Sequence, residues 1–503
     1  MKKIRIISFG LIVLLIFLSL SITGCQTKNE SKDDSGDSAV NEDINHDQEE
    51  AAEEIDYITQ LGETYNFDGY EFRIMVPAAE NHMPDSGPAL YMSEAMNGEI
   101  VNDALYTRNK AVEAALNIKI TVFEHSPGGI LETYKAIVNS VSANDKTFDV
   151  AIPHVLANVD AMTTGGYLCD WNKITSVDFD NPWWNIDAMN AYSMAHKKFL
   201  GMGEVNFGNY SNTYAMFFNK DFIQKYDLEN PYELVKAKKW TIDKVLEITK
   251  DMYQDLNSNG KSDADDLYGY SGSATGVLLG FMYGSNITYF KTDENGAPYI
   301  SFINEKTDRL VDKMVSLYYQ DNRSYIYDNN EIDIFNAMQE GRMFLQGDKI
   351  GQIIKLRGAD IEFGILPYPL YDENQDKYYT YVDAWGGVLC IPNNVLDDEL
   401  NRTAVILDAL SYETLKNVKP KYYDIALKTK YARDDESAEM LDLLYGGLVF
   451  DLGYVYDKTF EYFSMFMNSV TRGGNKFMTS MDRIEGTVQK YLDNAYEKIS
   501  GLD

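Results

Sequence analysis

"GYEFRIMVP", residues 69–77, sets the reading of the fold. Phe72, Ile74 and Val76 fall on every second position, the period of a β-strand. Working outward, a helix is predicted over about 98–117. "NIKITVFE" (117–124) then alternates again through Ile118, Ile120 and Val122. Residues 130–141 place Ile130, Tyr134, Ile137, Val138 and Val141 on one helical stripe. "FDVAIP" (148–153) closes the unit as a third strand. Strand–helix repeats of this kind predict a mainly parallel sheet covered by helices, an α/β fold.

A second unit begins near residue 215. Its helix, predicted over 241–252, carries Ile242, Val245, Leu246, Thr249 and Met252 on one face, with Thr241 as N-cap. "LYGYSGS" (267–273) reads as strand or turn. Further helices are expected at about 304–320, 331–340 and 348–357. Strands are expected in "FGILPYP" (363–369) and "GGVLCIP" (386–392), and the chain from Asp397 is mostly helical. No internal repeat is visible. At 503 residues the chain is too long for one hydrophobic core, so at least two lobes are expected.

Between the 241–252 helix and "LYGYSGS" lies "DLNSNGKSDADD" (255–266). Asp255, Asn257, Asn259, Asp263 and Asp266 stand at offsets 0, 2, 4, 8 and 11, with Gly260 at the sharp turn. That spacing suits calcium, which takes six to eight oxygens from alternate positions of a twelve-residue loop. Lys261, in the seventh place, offers its backbone carbonyl. An Asx-rich turn without metal is the plainer alternative. No exit helix follows, and there is one such loop, so the expected role is a structural clamp and not a sensor.

The N-terminus has its own signature. Lys2, Lys3 and Arg5 precede an apolar run from Ile6 to Leu18 and then "SLSITGC", the pattern of a secretory signal. No later run is long enough to span a bilayer. Residues 25–62 are acidic and poor in aromatics, as expected of a disordered tether. The whole chain carries a formal charge of −33, and removing the three cations of residues 1–24 leaves −36. Nucleic acid and anionic lipid are poor partners for such a surface. Cys169 and Cys390 sit in apolar, strand-like contexts and read as two buried thiols, although pairing in an oxidising setting is open.

An ordered series of landmarks carries a resemblance. "GGYLCDW" (165–171), "FFNKDFIQKYDL" (217–228), "KKWTIDKVLEI" (238–248), "EGRMFL" (340–345), "FGILPYP" (363–369) and "GGVLCIPNN" (386–394) follow one another behind Ile22-Thr23-Gly24-Cys25. Over about residues 65–500 the chain resembles the family 1 extracellular solute-binding proteins of bacterial ABC importers, the maltose-binding-protein-like group. "NPWWN" (181–185), "ENPYELV" (229–235), the 255–269 stretch and "VKPKYYD" (418–424) look like a lipoprotein subgroup of low-GC Gram-positive bacteria. Residues 22–25 resemble a lipobox, with Ile where Leu is commoner. The resemblance implies cleavage before Cys25, lipidation of its thiol and display on the outer face of the cell membrane. It further implies a periplasmic-binding-protein-like fold of class II type, in which two α/β lobes are joined by crossover hinge strands. Ligand lies between the lobes, and the permease subunits of an ABC importer are the partners of what is expected to be a monomer. On this basis lobe one spans 65–205 plus 385–415 and lobe two spans 215–370. The first crossover lies at about 206–218 and the return at about 363–388, and C-terminal helices over 416–503 are shared.

A sugar or oligosaccharide ligand presents flat C–H faces and a rim of hydroxyls, which aromatic rings and neutral or carboxylate hydrogen-bonding groups match. Trp385, beside Gly386 and Gly387, stands where family members commonly line the cleft. One of the adjacent Trp183 and Trp184 is expected to face ligand; Trp171 and Trp240 read as core. His154 follows the strand at 148–153, and Glu80 and Asn81 follow the first strand, at the carboxyl ends where ligands gather in open α/β sheets. Asn209, Tyr210 and Asn212 lie on the first crossover and Asp383 on the return. Each is alternatively a hinge hydrogen bond. Two readings compete with an importer component. One is a calcium-stabilised glycoside hydrolase, for which two suitable carboxylates are enough. The other is a surface glycan-binding lipoprotein without a transport role. No Gly-x-Ser-x-Gly elbow, P-loop or His-rich metal motif is present, and no catalytic residue is assigned.

Overall fold

Two sheets organise the chain. The computed structural model describes residues 56–78, 87–125, 131–327, 334–356, 360–384, 386–422, 434–457, 461–471 and 475–502. These lie in one folded unit, Ile55–Asp503. The first sheet places β1 (Tyr70–Pro77) between β2 (Ile118–His125) and β3 (Val150–Ala151), all parallel. Phe72, Ile74 and Val76 are buried as the alternation predicts, but so is Met75, because helices cover both faces of a parallel sheet. The helix Ile100–Leu116 is the crossover between β1 and β2, and Leu131–Ala143 precedes β3.

The second sheet is built from β4 (Tyr214–Asn219), β5 (Tyr268–Ser273), β8 (Ser324–Tyr327), β9 (Met343–Lys349) and β10 (Phe363–Leu366), beside a small antiparallel hairpin of β6 (Phe290–Thr292) and β7 (Pro298–Ile300). The strand order is β10-β4-β9-β5-β8. β5 runs parallel to both β8 and β9, while β4 is antiparallel to β9 and β10. Helix Ile242–Thr249 begins at Thr241, whose hydroxyl accepts the Lys244 N–H at 3.2 Å. It ends three residues short of the expected 252.

Three expectations need correction. Tyr214–Asn219 is not only crossover; every residue of it is buried as a central strand of the second sheet. A helix was expected over 348–357. Met343–Lys349 is instead a strand, followed by a 3₁₀ helix, Ile350–Leu356. The expected strand at 386–392 makes only isolated antiparallel bridges, to Ala151 and His154 on one side and to Leu168 and Gly201 on the other. Pro392 lacks a donor, and the glycines at 386 and 387 carry no side chain to pack, so no continuous ladder forms.

Trp171 and Trp240 are core, as read. A Cβ on Gly201 would lie 2.2 Å from the Trp171 ring, and Trp240 Nε1 donates to the Pro367 carbonyl at 3.0 Å. Cys169 and Cys390 are buried thiols in no disulfide, and burial raises both above the ordinary thiol range, Cys169 to about 11. Among the described residues no helix is long and apolar enough to cross a membrane.

Candidate functional site between the two sheets

The chain passes between the sheets at two adjoining segments. Thr213 bridges Val382, and the Asp383 N–H donates to the Asn212 carbonyl at 3.0 Å. Asn209, on the short helix Gly208–Ser211, clasps Gly387 on both sides. Its Oδ1 accepts the Gly387 N–H at 3.1 Å, and its Nδ2 donates to the Gly387 carbonyl at 3.3 Å. Asn206 Nδ2 donates to the same carbonyl at 3.1 Å. A Cβ on Gly386 would stand 2.5 Å from Asn209 Oδ1, so the close approach requires glycine. Lys349, ending β9, pairs with Asp383 at 3.0 Å and ties the second sheet to the return crossover. Beside it, burial pushes the Asp348 carboxyl up to about 6.

A cavity of about 190 Å³ opens beside this junction. Leu156 reaches it from beyond β3, Thr275 and Leu279 from the helix that follows β5, and Tyr381, Asp383 and Ala384 from the return crossover. Tyr289, Gly453, Tyr454, Asp457 and Phe463 complete the wall. The cavity therefore lies at the carboxyl ends of strands from both sheets, where open α/β sheets bind ligands. Behind it tyrosines stack. Tyr381 lies 4.7 Å from Tyr214 and 5.2 Å from Tyr283, and Tyr454 packs on both Tyr283 and Tyr381. Burial raises every one of these phenols well above its ordinary range, so all are neutral donors.

The structure distributes the residues that the sequence grouped over three neighbouring spaces. Asp383 lines the cavity. His154, Asn209 and Asn212 line a narrower recess next to Gly387, with Tyr91 and Ile152. Asn209 is engaged as a hinge clasp, and the Asn212 amide donates to the Gly208 carbonyl at 3.2 Å. Tyr210 faces the other way. Its hydroxyl donates to Glu204 at 2.9 Å, and its ring meets Tyr445 edge-on at 4.7 Å.

Trp183 and Trp184 do not line this cavity. Both indole N–H groups donate to one oxygen of the buried Asp408, each at 2.6 Å, and the Tyr57 hydroxyl donates to the other oxygen at 2.5 Å. They wall a second pocket of about 260 Å³, which brings them together with Asn209 and Tyr210 of the expected set and with Glu204 and Lys419. Trp385, Glu80, Asn81 and Cys25 lie outside the described residues. Tyr289, Tyr454, Asp457 and Phe463 were not singled out in the sequence. For Tyr454, Asp457 and Phe463 the signal was the aromatic-rich run "FDLGYVYDKTFEYF" (450–463); Tyr289 had none of this kind.

In the 255–266 loop Gly260 has φ +73°, and the N–H groups of Gly260 and Asn259 donate to Asp255 at 2.9 and 3.2 Å. The Lys261 carbonyl and Asp266 Oδ2 accept from one hydroxyl, that of Tyr253, at 3.3 and 3.1 Å. The amides of Asn257 and Asn259 donate to Asp263. Among the described residues no three His, Cys, Asp or Glu side chains are grouped as a metal site. The loop's carboxylates instead accept amide and backbone N–H groups. Its donor set consists of oxygens only, the chemistry a hard cation takes.

No protein-family model matches the chain, and no curated protein matches it in sequence. Solved structures do match. The galacto-N-biose-/lacto-N-biose I-binding protein of an ABC transporter from Bifidobacterium longum is similar with a TM-score of 0.56 at 12% identity, over 85% of this chain and 98% of that one. The cyclic alpha-maltosyl-1,6-maltose binding protein of Arthrobacter globiformis gives 0.57 at 14%, over 85% and 100%. UspC of M. tuberculosis gives 0.53 at 12%, over 84% and 100%. The chain has their two-lobed, periplasmic-binding-protein-like α/β fold, as the landmarks implied.

Proposed function

We propose that the protein is an extracellular solute-binding protein that captures a carbohydrate between its lobes and delivers it to an ABC importer. The observation that carries this reading is the cavity flanked by Asp383 at the crossover, with walls from both sheets. Two of the solved structures it resembles are described as binding galacto-N-biose or lacto-N-biose and cyclic maltosyl-maltose. A ligand touching both lobes favours the closed arrangement over the open one. Tyrosines suit such a ligand, offering a ring face to C–H groups and a hydroxyl to the rim. On this reading Cys25 carries the lipid anchor, residues 25–62 hold the body off the membrane, and calcium in the 255–266 loop stiffens the second lobe.

A thermal-shift screen of mono- and oligosaccharides tests the proposal, because a bound ligand raises the melting temperature. The expected result is a rise with at least one sugar, together with a smaller radius in solution scattering. A sugar that is hydrolysed, with release of reducing ends, would favour the hydrolase reading instead. No response from any sugar would overturn the assignment.

A further inference from the structure

Lys349 does not line the cavity, yet it touches the cavity wall through Asp383. It closes β9, where it lies opposite Tyr214 of β4. The next residue, Ile350, donates its N–H to the Thr213 carbonyl at 2.8 Å. From this fixed point Lys349 Nζ pairs with Asp383 Oδ2 at 3.0 Å. Asp383 is pinned in its turn. Its N–H donates to the Asn212 carbonyl at 3.0 Å, and its carbonyl accepts the Gly386 N–H at 2.8 Å. Two residues before it, the Tyr381 ring stacks on Tyr214 at 4.7 Å. Asp383 is thus a carboxylate on the cavity wall, 8% exposed, held through its backbone and through a cation from the second sheet.

Stability alone does not account for this pair. Taking two charges out of water offsets much of their attraction, and apolar side chains of similar volume often serve a fold as well. What the pair does secure is a charged acceptor in a place that disfavours charge. Burial pushes the carboxyl of Asp348, the residue before Lys349, up to about 6, although Lys349 and Lys355 both act to lower it. An opposite charge in contact favours the ionised form of a carboxylate. An ionised carboxylate offers about four acceptor positions, so one lysine does not exhaust it. A hydroxyl that donates to it makes a bond roughly twice as strong as one between neutral groups. With Lys349 already in place, closure of the cavity over Asp383 leaves no uncompensated anion.

We propose that Lys349 is a positioning residue of the sugar site: it acts through Asp383, holding that carboxylate charged and oriented to accept from a ligand hydroxyl, and so ties ligand contact at the return crossover to the second sheet. This rests on the carbohydrate reading above.

The test uses the full mature chain and the tightest binder from an array of mono- and oligosaccharides, measured by titration calorimetry. Asp383→Asn should weaken binding by about tenfold or more, the worth of one hydrogen bond to a charged group. Lys349→Met should weaken it to a similar degree, and Lys349→Arg, which keeps the charge, should recover most of the loss. Combining Lys349→Met with Asp383→Asn should bind no worse than Asp383→Asn alone, because Lys349 makes no ligand contact of its own. Losses that multiply in the double variant would overturn the inference, as would Lys349→Arg no better than Lys349→Met. Lys349→Met leaves Asp383 as an unpaired buried charge and is the variant at risk of not folding. Lys349→Gln, which keeps a donor without the charge, then takes its place under the same criteria. Silence from every sugar would overturn the carbohydrate reading and this inference with it. A sugar bound equally well by the native chain and the uncharged Lys349 variant would overturn the inference alone. A lowered ligand-free melting temperature with that unchanged affinity would make the pair a structural tie between sheet and crossover.

Discussion

Asp408 offers a sharp test of the reasoning about the tryptophans. Three donors converge on it: the Trp183 and Trp184 indoles and the Tyr57 hydroxyl. It joins the N-terminal helix Tyr57–Thr64 to the helix Asp397–Glu413 and to the "NPWWN" segment. Burial raises its carboxyl above the ordinary range, and the three donors lower it again, so retaining the charge is itself costly. Asp408→Ala orphans two buried indoles and one phenol. Hydrogen bonds to a charged group are worth roughly 1.5–3 kcal/mol each, and relief of carboxylate desolvation offsets part of that. We expect a net loss of about 3–5 kcal/mol. Asp408→Asn is different. Its Oδ1 can still accept both indoles, and the Tyr57 hydroxyl can turn to accept from the new amide, so the loss should be about 1 kcal/mol. Urea unfolding of the full mature chain, followed by tryptophan fluorescence, measures both. The sugar affinity of Asp408→Asn should be unchanged, because Trp183 and Trp184 stand away from the cavity between the sheets. Equal losses for the two variants would refute the hydrogen-bond account. Weakened sugar binding in Asp408→Asn would return the tryptophans to the ligand site.

Three further outcomes are expected. Burial holds the Asp348 carboxyl at about 6 against an ordinary 3.8, so between those values the folded form keeps a proton the unfolded form has lost, and stability falls as pH rises through the window. Because the side chain is half-buried, Asp348→Asn should add roughly 1–2 kcal/mol at pH 7 and little at pH 4, and equal gains at both would dismiss the shift. Calcium added to chelator-treated protein should raise the melting temperature without changing which sugars bind, since metal held only by the folded form stabilises it; no heat of binding at millimolar calcium would remove the ion from the 255–266 loop. Cys25→Ala should release the protein into the medium, and membrane retention as before would exclude the lipid anchor.

The first sheet was legible because its signals are local. Phe72, Ile74 and Val76 set a two-residue period that no helix can share, and the stripe from Tyr134 to Val141 sets a helical one. The second sheet was harder. Met343–Lys349 carries "MFLQGDK", apolar for three residues and then polar, so its end resembles a helix start. What makes it a strand is tertiary: β4 and β5 pair with it on either side, and Gly347 is crowded by the Tyr368 and Tyr270 hydroxyls, where a Cβ would come within 2.3 and 2.6 Å. Conversely "GGVLCIP" reads as a strand locally, yet it meets His154 and Ala151 on one side and Gly201 and Leu168 on the other at single residues only, which leaves bridges instead of a ladder.

The site was less legible than the fold, because the cavity gathers Leu156, Thr275, Tyr289, Asp383 and Asp457 from five distant stretches. Sequence reasoning ranks tryptophan first for a sugar face, since its ring is the largest. That ranking neglects the N–H. A buried indole gains from an acceptor, and this chain supplies one for three of its four described tryptophans, Asp408 for Trp183 and Trp184 and the Pro367 carbonyl for Trp240, while Trp171 Nε1 is buried without one. Satisfied in this way, those three rings are free to serve the core. Tyrosine poses a different problem, because its hydroxyl both donates and accepts, and the chain has 37 of them to place. Tyr289 and Tyr454 on the cavity wall both bury hydroxyls that no protein group meets, as do Tyr270 and Tyr368 in the core, so ring position and not an unmet hydroxyl is what places a tyrosine at the site.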